Sequence, residues 1–132
     1  MTENPAKLTI KSKVWVEDEN GKMVFGAGRL KTLNAVEKNG SIIAAAKEIG
    51  MSYRAVWGKL KATEERLGKP LLIKRTGGTY GGGSVLTPFA KTMMERFRHL
   101  DALIRTTTDT FFEGLFVSDE PQRPEEAGNK NS

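Results

Sequence analysis

Arg54, Trp57 and Lys61 stand three and four residues apart inside AAAKEIGMSYRAVWGKLKATEERL, residues 44–67. On a helix that spacing sets them away from the apolar stripe of the same segment. A guanidinium can fork onto guanine O6 and N7, and an ammonium can meet phosphate or a base acceptor. The chemistry on offer is recognition of a polyanion rather than bond breaking. Catalytic groupings are missing: there is no Cys and a single His, His99. No HxxxH pair or convergent acid pair accompanies it, and Asp101, two residues on, points to another side of a helix. Neither Ser52 nor Ser84 has a base at recognisable spacing. No enzyme, no metal site and no cofactor is expected.

The charge map points the same way. The chain has 132 residues and a net charge of +5. Residues 51–81 hold seven Lys/Arg against Glu64 and Glu65, whereas 1–28 balance and 111–132 are acidic. Cations clustered on one helix and the segment after it suit phosphate neutralisation. The 38% hydrophobic content leaves a modest core, and there is no run of apolar residues long enough for a transmembrane helix. The N-terminus lacks a signal-peptide core, so a cytoplasmic protein is expected.

The elements that must position these side chains follow from periodicity. Gly50 marks a tight turn and Ser52 a helix N-cap, giving helix–turn–helix across 44–67. Such a pair can lay its second helix in the major groove of DNA. In that second helix Val56, Leu60, Thr63 and Leu67 fall within about 40° of one another and form the core face. Arg54, Gly58, Lys61 and Glu65 lie opposite. Tyr53 and Trp57 lie on one shoulder, and Ala55 and Ala62 on the other, where a neighbouring helix would fit. Ser41 caps the helix before, which buries Ile42, Ala45, Ala46 and Ile49.

Upstream, Leu8, Ile10, Val14 and Val16 alternate with polar residues, and Asn20-Gly21 predicts a hairpin turn with positive φ at both positions. Lys22–Phe25 is the expected return strand. Gly26-Ala27-Gly28 is no dinucleotide fingerprint, since Lys31 stands where the third glycine belongs; a loop into a helix bearing Leu30, Leu33 and Val36 is expected. Downstream, Leu71–Ile73, then GGTYGGGS, then Val85-Leu86 reads as strand, glycine-rich tip, strand, the pattern of a wing. No Gly-Lys-Ser/Thr follows the glycines, so it is not a phosphate-binding P-loop. Thr87-Pro88 starts a helix. Along it Met93, Phe97, Leu100, Ile104, Thr107 and Phe111 are spaced alternately four and three, an a/d seam. A dimerisation helix is expected, weakened at Thr106-Thr107-Thr108 by β-branching. Residues 117–132 are polar and Pro-containing, and a disordered tail is expected.

The fold class expected is mainly α with small β: a winged helix-turn-helix with an N-terminal hairpin and a long C-terminal dimerisation helix. Its parts are 1–26 hairpin, 27–87 winged helix-turn-helix, 88–116 dimerisation helix and 117–132 tail.

From about Val14 to Arg98 the sequence resembles the N-terminal DNA-binding domain of the ModE family, the molybdate-responsive bacterial regulators, itself similar to the winged helix of LysR-type regulators. The resemblance rests on GRLKTLNAVEKNGSIIAAAKEIGMSYRAVWGKL, LGKPLL, and the glycine clusters leading to LTP. It implies a transcription regulator that binds a palindromic operator in double-stranded DNA as a homodimer. It also implies base-reading or groove-lining roles for Ser52, Tyr53, Arg54, Trp57 and Lys61. Contacts to the DNA backbone are implied for Ser41, Lys59, Lys74, Arg75, Thr76, Thr79 and Tyr80. Residues 117–132 cannot form the oxyanion-binding module that full-length members carry, so a stand-alone DNA-binding version is expected. Two other readings compete: an adaptor that pairs with a separate sensor protein through the C-terminal helix, and a sequence-neutral nucleoid protein.

Overall fold

The computed structural model describes residues 6–75 and 82–117. Thr76, Thr79, Tyr80, three of the wing glycines and the expected tail from 118 lie outside the described residues. The chain divides into a main unit, Val14–His99, and a second unit made of residues 1–13 and 100–132.

The main unit opens with a short antiparallel pair, β1 (Trp15–Glu17) and β2 (Met23–Gly26). The alternation from Leu8 predicts a longer first strand. Pairing stops at Trp15↔Gly26 because Gly26 is already the N-cap of α1 (Ala27–Asn39) and β2 has no further backbone to offer. Strand therefore runs directly into helix, with no loop between. The turn also differs from the expected one. Gly21 alone has positive φ, at 78°, and Asn20 does not. The Asp18 carboxylate accepts from the Asn20 and Lys22 N–H groups, and those bonds hold its acid below the usual carboxylate range. The register slips by one residue between Val16 and Glu17. That bulge lets the neighbours Val24 and Phe25 both be buried, which a regular strand forbids.

α1 ends at Gly40, whose φ of 75° suits a residue without Cβ. α2 (Ile42–Ile49) begins at once, with Ser41 Oγ accepting from Ala44 N–H at 3.1 Å. Its end closes as a Schellman-type turn, Met51 N–H reaching the Ala46 carbonyl at 2.9 Å. α3 (Tyr53–Leu67) is capped by Ser52, whose Oγ accepts from Ala55 N–H at 3.0 Å. Val56, Leu60 and Thr63 are buried, as their stripe predicts, and Leu67 is half-buried. Ala55 is exposed, so no helix covers that shoulder at its start.

β3 (Leu72–Lys74) pairs antiparallel with β4 (Ser84–Leu86). Thr87 then caps α4 (Pro88–Phe112), with Ala90 N–H donating to Thr87 Oγ1 at 3.0 Å. The apolar core joins β2, α1, α2, α3, Leu71, Leu86 and the start of α4. Here one expectation changes. Phe97, placed by its spacing on a partner-facing seam, is 4% exposed and tilts against Phe25 with ring centroids 5.2 Å apart. Met93 also packs partly on this core. The helical stripe Ala90, Met94, Phe97 faces inward, because the main unit needs a lid over Phe25.

Leu100 and Phe111 are exposed and Ile104 is half-buried, in the second unit. The threonine run does not end the helix. Thr110 Oγ1 donates to the Thr106 carbonyl at 3.0 Å, and Asp101–Arg105 adds an i,i+4 pair. The helix passes into a single π turn, Glu113–Val117, at Gly114, with the Phe112 and Phe116 rings stacked at 5.0 Å.

Candidate nucleic-acid interface

Two features of the main unit fix the recognition elements to one another. The first is Glu64. Its carboxylate accepts from Leu71 N–H at 2.7 Å and Leu72 N–H at 3.3 Å, and pairs with Lys61 Nζ at 3.2 Å. One acid on α3 thus sets where β3 begins. The second is the contact between the β3–β4 stem and the α1–α2 turn. Ser84 N–H donates to the Gly40 carbonyl at 2.8 Å, and a Cβ on Gly83 would collide with that same oxygen. Gly83 has no positive φ, so space rather than backbone conformation demands glycine here. Gly83→Ala should destabilise by about 1–3 kcal/mol through forced displacement of the stem. Gly58, exposed in α3 with nothing near its missing Cβ, should behave oppositely. Gly58→Ala should stabilise by about 0.5–1 kcal/mol. Thermal melts of the two variants check both signs.

These contacts leave two adjoining grooves between the helix pair and the stem. Trp57, Lys61 and Lys74 border the first; Ser41, Tyr53, Lys74 and Arg75 border the second. The structure therefore brings together six of the side chains singled out by sequence and by resemblance: Ser41, Tyr53, Trp57, Lys61, Lys74 and Arg75. Tyr53 and Trp57 are exposed at 46% and 43%. Arg54 is exposed, and no ion pair engages Arg54, Lys74 or Arg75 among the described residues. Lys61 is committed to Glu64 and lies 5.8 Å from the Trp57 ring centroid, so it is less available than its spacing suggests. Ser41 and Ser52 each accept one cap hydrogen bond and keep a hydroxyl hydrogen to donate. Ser52 and Arg54 border neither groove, and nor does Lys59. It is two residues from Lys61, about 160° around the helix.

Some residues of consequence escape a reading of periodicity. Ile43 is 69% exposed beside Ser41, an apolar side chain among cations. Its place off the buried face of α2 is the only sequence signal. Arg29 is 5% exposed, donating from Nε to Thr63 Oγ1 at 2.8 Å. Burial, and then the neighbouring Arg66, push its guanidinium below its usual range. Arg66 Nη1 donates to the Met23 carbonyl at 2.6 Å. These two arginines join α1 and α3 to β2 and face the core and hairpin rather than the grooves.

No helix among the described residues is long and apolar enough to cross a membrane, and no acid, His or Cys cluster there could hold a metal ion.

Residues 28–91 match the family profile described as bacterial regulatory helix-turn-helix protein, lysR family. This segment is a LysR-type winged helix-turn-helix domain. Full-length CbnR in complex with its target DNA superposes on it with a TM-score of 0.50 and 26% identity, over 66% of this chain and 28% of that one. Curated relatives of the LysR-type segment include the molybdenum-pterin-binding protein MopB of Rhodobacter capsulatus, 36% identical over 69% of this chain and 34% of its own length. The molybdenum transport protein ModE of Azotobacter vinelandii is 32% identical over 66% of this chain and 32% of its own. The transcriptional regulator ModE of Haemophilus influenzae is 36% identical over 63% and 31%. The chain thus spans about a third of the length of these relatives.

Proposed function

We propose that the protein is a DNA-binding transcription regulator that works as a homodimer on a palindromic operator. The observation that carries the DNA part is the row of uncommitted cations and exposed aromatics along the two grooves, on a LysR-type domain. Arg54 is the base-reading group, since its fork matches guanine and no ion pair holds it among the described residues. Tyr53, Trp57 and Ile43 supply apolar surface for thymine methyls. Lys74 and Arg75 at the stem take phosphates and set orientation without reading sequence.

Pairing through α4 is supported by exposed Leu100 and Phe111, with Leu103, off the seam spacing, exposed as well. Ile104 and Thr107 complete that stripe, whereas Phe97 belongs to the core. A two-fold pair of reading helices asks for two inverted half-sites.

Selection from random duplexes tests this reading, with wild type and two variants. Wild type should yield an inverted repeat. Arg54→Ala should cost about 1–3 kcal/mol and relax one position in each half-site. Lys74→Ala should weaken all duplexes alike and leave the consensus intact. Recovery of no consensus would favour a sequence-neutral nucleoid protein, and a single half-site would remove the homodimer.

A further inference from the structure

We propose that the groove between α3 and the β3–β4 stem is also a binding site for a small amphipathic anion: a flat apolar body carrying a carboxylate. The groove beside Trp57 is a cavity of about 380 Å³, in the size range of small-molecule sites. Its walls are apolar where they are deepest: Ile42 and Leu60 are buried and Leu72 half-buried. Trp57 adds an aromatic wall against which a flat ring can lie.

The polar groups decide the charge of the occupant. Ser84 is 7% exposed and lines both this cavity and the adjoining one of about 430 Å³. Its backbone N–H is spent on Gly40, but no hydrogen bond engages its hydroxyl among the described residues. The oxygen is not sealed from solvent, so the hydroxyl is open to the cavity side and can donate to an occupant there. Lys74 also lines both cavities and has no ion pair among the described residues. Glu64, the one carboxylate on the wall, is fully engaged with Lys61 and the Leu71 and Leu72 amides. Near Ser84, α2 begins, and its first two N–H groups, on Ile42 and Ile43, have no helical acceptor. A hydroxyl, an ammonium and a helix start around one junction favour a carboxylate and reject a cation. The apolar body then extends from that junction toward Trp57.

Occupancy does not depend on the DNA reading. One consequence does: if the grooves face the duplex, ligand and duplex compete, and the site makes a small anion an antagonist of DNA binding.

The probe is 2-naphthoate, with 2-naphthamide as its uncharged counterpart, titrated into ¹⁵N-labelled full chain without DNA. Two tryptophan indoles report, distinguished by Trp15→Phe. Naphthoate should shift the Trp57 indole and the Ser84 amide saturably, leaving Trp15 in place. Naphthamide should bind about tenfold more weakly, since a charge-assisted bond is lost. Ser84→Ala and Lys74→Gln should each weaken naphthoate several-fold. Lys74 is on the exposed rim, so its variant keeps the test sound if Ser84→Ala disturbs the stem. The site is overturned by no saturable shift up to about 5 mM, ample for a ligand of this size. Equal affinity for the amide, or indifference to both substitutions, overturns it too. Adding duplex should release naphthoate. Naphthoate binding without any duplex binding would sink the DNA reading and keep the site; duplex binding without naphthoate binding would do the reverse.

Discussion

Affinity for duplex DNA should collapse with added salt, by about 10³–10⁵ between 50 and 200 mM, if a dimer neutralises roughly 6–10 phosphates. Lys74 and Arg75 have no intramolecular ion pair among the described residues, so each can displace a counterion in full. Ser41 adds a donor at the start of α2, where the helix dipole favours phosphate. Lys61 contributes less, because releasing it from Glu64 frees a carboxylate that anchors β3 and would face the duplex. Lys61→Gln should therefore reduce the log–log slope by less than Lys74→Gln, which should lower it by about one per protomer. Titrations at four or five salt concentrations measure both slopes. A flat plot for the wild type would leave the cation row without a role.

The largest effect on stability should come from the Phe25–Phe97 pair. Phe25 is fully buried and Phe97 nearly so, with their rings tilted 51°. Either one replaced by Ala should cost about 3–5 kcal/mol, since transfer and cavity terms add in a buried core shared with Leu33, Val36 and Met94. The double variant should cost less than the sum by about 0.5–1.5 kcal/mol, the aromatic coupling. Denaturant midpoints measure this. The comparison separates two roles for α4. If Phe97 served mainly as a partner-facing seam residue, Phe97→Ala would alter self-association and spare the folding of the main unit. The buried geometry predicts the opposite, and assigns self-association to residues from Leu100 onward, where Phe111→Asp should act without the same cost in folding.

Helix boundaries, caps and buried stripes were legible in the sequence because each is local. Ser41, Ser52 and Thr87 sit where capping chemistry requires them, and Val56, Leu60 and Thr63 face inward as their period demands. What periodicity cannot show is competition for the same side chain. The a/d spacing of Met93 and Phe97 is equally good for a partner or for the core, and only the position of Phe25 decides it. Lys61 has the right place on α3 for reading bases, but its i,i+3 neighbour Glu64 holds it. The first strand looked long because alternation continues past the point where its partner becomes a helix. The need for Gly83 depends on an approach to Gly40, more than forty residues away in sequence, and no local pattern encodes it.

The most direct test of the central claim, that the two grooves meet DNA, is a map of amide and indole perturbations when a selected duplex is added to labelled protein. The account predicts changes at Ser41–Ile43, Ser52–Arg54, the Trp57 indole, Lys74 and Ser84, with the hairpin turn Asp18–Gly21 unmoved. Perturbation centred on the hairpin turn, or on the Ala55–Arg66 shoulder of α3 with the grooves silent, would contradict it.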